Sequence, residues 1–227
     1  MTVALEQDLS GAGWTGGTTV VIADAGISSF VANNLVILTC AGSDARYALG
    51  PVTDDGTGSW VELGATAVAG GNSKWPHLLM YYKIAAGDET AITITSTKHL
   101  KYSIKEFSGL ATASPVDAVS AALRTTANVS ATETATEAGL AFMGLANGLY
   151  ADATSTFSGL DSSYLPDGSA INGVDYGAAG SWKTTTVGST SPSGTITDGD
   201  VAYCLALFKG AGGGGPAPIM ASALRGA

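Results

Sequence analysis

The chain has 227 residues, 13% of them charged and 45% hydrophobic, with ten Lys and Arg against 19 Asp and Glu for a net charge of −9. Low charge with high hydrophobicity excludes disorder, and so few basic residues, spread along the chain, leave no stripe to neutralise phosphates, so no direct nucleic-acid partner is expected. The length suits one large all-β domain or two small ones, with room for a substantial core.

In chain order, MTVALEQDLSGAG has no basic segment followed by an apolar one, so no secretory signal is expected. Apolar residues then alternate or run in short blocks bounded by Gly, Asn, Asp, Ser or Pro, which is strand punctuation rather than a helical period. Strands are expected at TTVVI, NLVILTC, SWVEL, HLLMYYK, TAITITS, YSIKEF, GLAFMGL, WKTTTVG and VAYCLALF. NLVILTC and VAYCLALF are apolar on both faces and should be interior strands. In YSIKEF, Tyr102, Ile104 and Glu106 would share a face, and a bulge near Lys105 would explain the broken alternation. The segment DAVSAALRTTANVSATETATEAG fits either a short helix with a polar loop or an elaborated crossover.

Turns are expected at TDDGTGS, AAGDE, PDGSAINGVD and TDGD. No repeat of fixed period stands out, and the apolar stretch AGLAFMGLANGLYA is too short and too interrupted to span a membrane. The pattern points to an all-β fold, a two-sheet antiparallel sandwich of Greek-key or jelly-roll type over residues 1–209, followed by a Gly-rich linker and arm over 210–227.

The residues that could carry chemistry are dispersed. His77 and His99 have no partner at metal-binding spacing and read as surface or turn residues. Cys40 and Cys204 lie in apolar runs and read as buried thiols of a protein made in a reducing cytosol, with a single bridge between them as the alternative. Asp54, Asp55, Asp198 and Asp200 could ligate calcium, but Asp and Gly in these contexts are ordinary turn formers. Neither a nucleophile elbow nor a phosphate loop is present. No catalytic residue, metal or cofactor is therefore expected. Among Trp14, Trp60, Trp75 and Trp182, the cluster of Trp75, Tyr81 and Tyr82 could stack on a sugar or serve as an interface anchor. The sequon at Asn128 carries little weight without a secretion signal.

The string from VTDDGTGSWVEL through LLMYYKIAAGDETAITIT to YSIKEFSGLATASPVDA resembles a jelly-roll domain that recurs in tailed-phage virion proteins and some bacterial surface proteins. The resemblance spans roughly Asn34 to Lys209 and brings no catalytic residues. It implies capsid decorations, fibres or adhesive modules.

The ending KGAGGGGPAPIMASALRGA bears on that choice. Gly212, Gly213, Gly214 and Gly215 form a hinge. Pro218 suits a first helical turn, and Ile219, Met220, Ala223 and Leu224 then share one apolar face. So short a helix needs something to pack against, and Arg225 could add a charge-assisted contact. The expected role is a non-enzymatic virion structural protein, a capsid decoration or related head or tail surface protein. Its partners would be copies of itself or other virion proteins such as a major capsid protein, with no membrane and with assembly in the host cytoplasm. The rival reading is a carbohydrate-binding or receptor-binding module recognising a host glycan.

Overall fold

The computed structural model describes residues 2–13, 19–23, 29–42, 49–67, 77–96, 100–124, 126, 128–147, 155–160, 162–164, 178–196 and 201–212. All regular structure among them is strand. The first half contains β1 (Ala4–Gly13), β2 (Thr19–Ala23), β3 (Leu35–Gly42), β4 (Leu49–Asp54), β5 (Val61–Ala67), β6 (His77–Ile84), β7 (Ala91–Ser96) and β8 (Leu100–Ser108). The second contains β9 (Val116–Arg124), β10 (Asn128–Ser130), β11 (Glu133–Ala135), β12 (Gly139–Asn147) and β13 (Ser155–Ser158). It continues with β14 (Ser162–Tyr164), β15 (Ala178–Thr185), β16 (Gly188–Thr190), β17 (Ser193–Ile196) and β18 (Val201–Lys209).

The strands form five antiparallel sheets rather than two. A five-stranded sheet ordered β1-β8-β3-β6-β5 carries a three-stranded sheet, β2-β7-β4, on one face. Its other face packs on a second five-stranded sheet, β14-β15-β12-β18-β9. That sheet is covered on its far side by β10-β17-β13 and by the pair β11-β16.

The two halves repeat one strand order. Reading β9-β18-β12-β15-β14 against β1-β8-β3-β6-β5, and β10-β17-β13 against β2-β7-β4, matches each strand of one half to one of the other. First strand pairs with last in both, and the pairs nest inward. The sequence shows no such repeat, because strand order survives when only the apolar alternation is kept.

Three apolar clusters fill the spaces between layers. On β3, Leu35, Ile37 and Ala41 face the second five-stranded sheet, while Val36, Leu38 and Cys40 face the three-stranded one. On β18, Ala202, Cys204, Ala206 and Phe208 point one way and Val201, Tyr203, Leu205 and Leu207 the other. This is the period of two expected of a strand covered on both faces, so both two-sided apolar runs are interior strands as read.

Two expectations change. The segment from Val116 to Arg124 is strand β9, paired with β18, and not a helix. There is no bulge at Lys105: β8 pairs with β3 in unbroken register, and the irregularity falls on the neighbouring strand, between Leu5 and Gln7 of β1. Tyr102, Ile104 and Glu106 do share a face, and the polar residues are accommodated by specific partners.

Candidate functional site

Where the body ends, three chain segments converge. The amide of Ala211 donates to the carbonyl of Gly109, that of Gly210 to Ala138, and those of Lys209 and Ala111 to Pro115 and Lys209 respectively. A side chain at Gly139 would run into the carbonyl of Phe208, and one at Gly109 into the carbonyl of Thr2. Only glycine permits backbones this close. Beside this seam lies a cavity of about 370 Å³ bordered by Thr2, Val3, Thr184, Thr185 and Gly212. Gly210 and Ala211, placed in the linker from sequence, are bonded into the body. Gly212 follows with φ of +87°, exposed. Gly213, Gly214, Gly215, Pro218, Ile219, Met220, Leu224 and Arg225 lie outside the described residues.

At another corner, charged side chains lock two loops together. Lys83, its side chain almost wholly buried, reaches Asp54 at 2.6 Å and Glu89 at 2.9 Å. Glu89 also accepts the amides of Ala86 and Gly87, and Asp54 that of Gly56. Asp88 accepts the amide of Thr57. Burial works against the Glu89 carboxylate, but these amides and Lys83 hold it below the usual range. Burial likewise disfavours charge on Lys83, and the two carboxylates overcome that to raise its pKa. The hydroxyl and amide of Thr90, with the amide of Ala91, depress Asp55 to about 2. The carboxylates that sequence offered to calcium thus close turns. Asp198 and Asp200 lie outside the described residues.

A third polar cluster sits on β8. Glu106 is buried and accepts the amide of Val31 at 2.6 Å and the side-chain amide of Asn34 at 2.8 Å. Its neighbour Lys105, pointing to the opposite face, pairs with Asp8. Burial lowers the Lys105 pKa even with that carboxylate beside it.

Among the described residues the aromatic side chains do not form a platform. Tyr81 and Tyr82 are successive residues of β6 and stand on opposite faces. Tyr81 is buried in the outer core of the first half, donates to Glu62 and is pushed up to about 12 by burial and then by Glu62. Tyr82 packs edge-on against Phe208 in the central core. Trp60 and Trp182 also pack against cores, the latter edge-on to Phe107. Trp14, Trp75 and His99 lie outside the described residues. His77, read from sequence as a surface or turn residue, is buried at the start of β6. Cys40 and Cys204 are free, lie in different clusters and do not pair, and burial pushes both thiols up, Cys204 to about 12.

No protein-family model, curated protein or solved structure matches this chain.

Proposed function

We propose that this chain is a non-enzymatic virion structural protein of tailed-phage type, a jelly-roll protein that coats a capsid or a related head or tail surface. The observation that carries this reading is the nested pairing of strands. In each half the first strand pairs with the last and the second long strand with the second to last, β3 with β6 and β12 with β15, while β2 pairs β7 and β10 pairs β17. Nested pairing of this kind is what a long hairpin rolled into a jelly roll would produce, and it supports this reading.

The residues behind the family resemblance support the same reading, because they serve the fold. The VTDDG turn, the Lys83 of the YYK strand and the AAGDE turn make the charged lock, and Glu106 of YSIKEF ties β8 to the loop before β3. Asp117 of the SPVDA string accepts the amide and hydroxyl of Thr136. A motif spent on fold fits a family that varies its partners from one member to the next.

Attachment falls to the arm, which leaves the body at the glycine seam. Burying Ile219, Met220 and Leu224 would contribute on the order of 5 kcal/mol, and ordering the linker would offset much of it at about 1 kcal/mol or more per residue. One arm binds weakly, and stable coating depends on many copies acting together.

The test compares the full chain with a chain ended after Gly212, by thermal melting and by sedimentation with and without shell protein. Melting should be nearly unchanged and association should fall sharply. A shortened chain that associates as before removes the arm as tether. A full chain that neither self-associates nor binds a shell, or that turns over a polysaccharide or ester, overturns the proposal.

A further inference from the structure

Strand β9 forms the outer edge of the second five-stranded sheet. An edge strand offers a row of unpaired backbone groups, and proteins ordinarily blunt it by shortness, charge, proline or a bulge. In the first five-stranded sheet, β1 carries Glu6 and Asp8 with a register shift, and β5 carries Glu62 with another. Across the second sheet β14 has three residues, and in the small sheets β4 contains Pro51 and the other edges have five residues or fewer. Strand β9 has nine; its charges, Asp117 and Arg124, and its register shift lie at its ends, and between them it reads Ala-Val-Ser-Ala-Ala-Leu, with no charge, glycine or proline. Among the described residues nothing pairs with its outer edge.

Which partner fits is read from the ends of the strand. Asp117 lies at one end and Arg124 at the other. Arg124 is exposed, its guanidinium 5.8 Å from the centre of the Tyr203 ring on the outer face of the sheet. Asp117 sits at the register shift of β9 and is bonded to Thr136, next to β11, on that same outer face. We propose that two copies pair antiparallel through β9 about a twofold axis at Ser120. This register sets Ala118 against Ala122 and Val119 against Ala121, and brings the Arg124 end of each strand beside the Asp117 end of the other.

The faces also match. Ala118 and Ala122 pack toward the outer core, whereas Val119 and Leu123 pack toward the central one. A pairing that opposes residues of equal parity continues each face of the sheet into the same face of the partner's, as register demands, and an isologous twofold contact satisfies this with one surface. At the axis, the Ser120 hydroxyl is covered and has no hydrogen-bond partner among the described residues.

This inference rests on the assembly reading and is tested apart from it. The full chain is compared with Ala121→Lys, at an exposed position of β9, and with Arg124→Glu, by sedimentation and by amide hydrogen exchange over a concentration series. In the unaltered chain, mass should rise with concentration and β9 amides should become protected in step. Ala121→Lys should melt normally and show neither change. Arg124→Glu should weaken association about tenfold by placing like charges at both ends. Rising mass with no change in β9 exchange overturns edge pairing and leaves the assembly reading standing. Protection of β9 that is independent of concentration means that the chain covers its own edge, and it also overturns the inference. A chain that stays monomeric throughout overturns edge pairing, and the shell-binding measurement then decides the assembly reading by itself.

Discussion

The two halves share a strand order but hold their layers together by different chemistry. Among the described residues the buried polar ones of the first half include Lys83, Glu89, Lys101, Lys105 and Glu106, whereas those of the second are the hydroxyl residues Ser181, Thr185 and Thr190. Loops of the first half are closed by carboxylates on amides and by the buried Lys83; in the second half Asp117 likewise holds the amide and hydroxyl of Thr136, but with no buried cation among the described residues. In the second half, side chains join across strands through Thr132 and Ser191, Thr134 and Ser189, and Thr195 and Asn128. Neutral hydroxyl pairs cost little to expose or to lose, whereas a buried charge that loses its partner retains its desolvation penalty. The same topology can therefore depend strongly or weakly on its polar contacts, according to which polar groups are buried.

The largest break in that comparison should come from Lys83→Met. Two carboxylates would remain in the lock without a cation, and removing one member of a buried pair costs about 3–5 kcal/mol. Denaturant unfolding measures it; a loss below about 1 kcal/mol would mean that water reaches the site and that the halves are less different than they look.

Acid should find the first half next. Asp55 and Glu89 have folded pKa values below their ordinary ones, so each contributes stability that is present above its unfolded value and is lost as pH falls through the folded one. For Asp55 that window runs from 3.8 down to about 2. Asp55→Asn should flatten the loss of stability in this window, as read from melting temperature against pH. An unchanged acid limb would show that the Thr90 contacts contribute nothing. Lys83 works in the other direction. Its raised pKa gives stability that is complete below 10.5 and lost only as pH climbs through the higher folded value.

The smallest effect is expected from Thr134→Val. Its hydroxyl lies 3.4 Å from that of Ser189 and is exposed, so stability should change by no more than about 0.5 kcal/mol. A loss several times larger would place the hydroxyl pairs on the same footing as the ion pairs and erase the contrast.

What the sequence determines by itself is local. Apolar alternation and apolar runs mark β2, β3, β5, β6, β7, β8, β12, β15 and β18, and the unbroken runs mark β3 and β18 as covered on both faces, since side chains alternate sides whatever the partner strand; β1, β4, β9 and the short polar strands of the second half are not marked. The turns at TDDGTGS and AAGDE are equally legible, because Gly and Asp close turns through their own backbone. Lys105 and Glu106 were legible only as an irregularity; that Asp8 and Asn34 answer them depends on strands distant in sequence. Tertiary structure alone decided the rest. Strand order, the repetition of one topology in two halves, and the back-to-back placement of Tyr81 and Tyr82 follow from which edges meet, and no single strand's pattern encodes its neighbour. Lys83 lies in a segment that reads only as a strand until β4 and the turn before β7 bring Asp54 and Glu89 to it, and β9 reads as a short helix or part of a crossover until β18 offers it an edge to pair with.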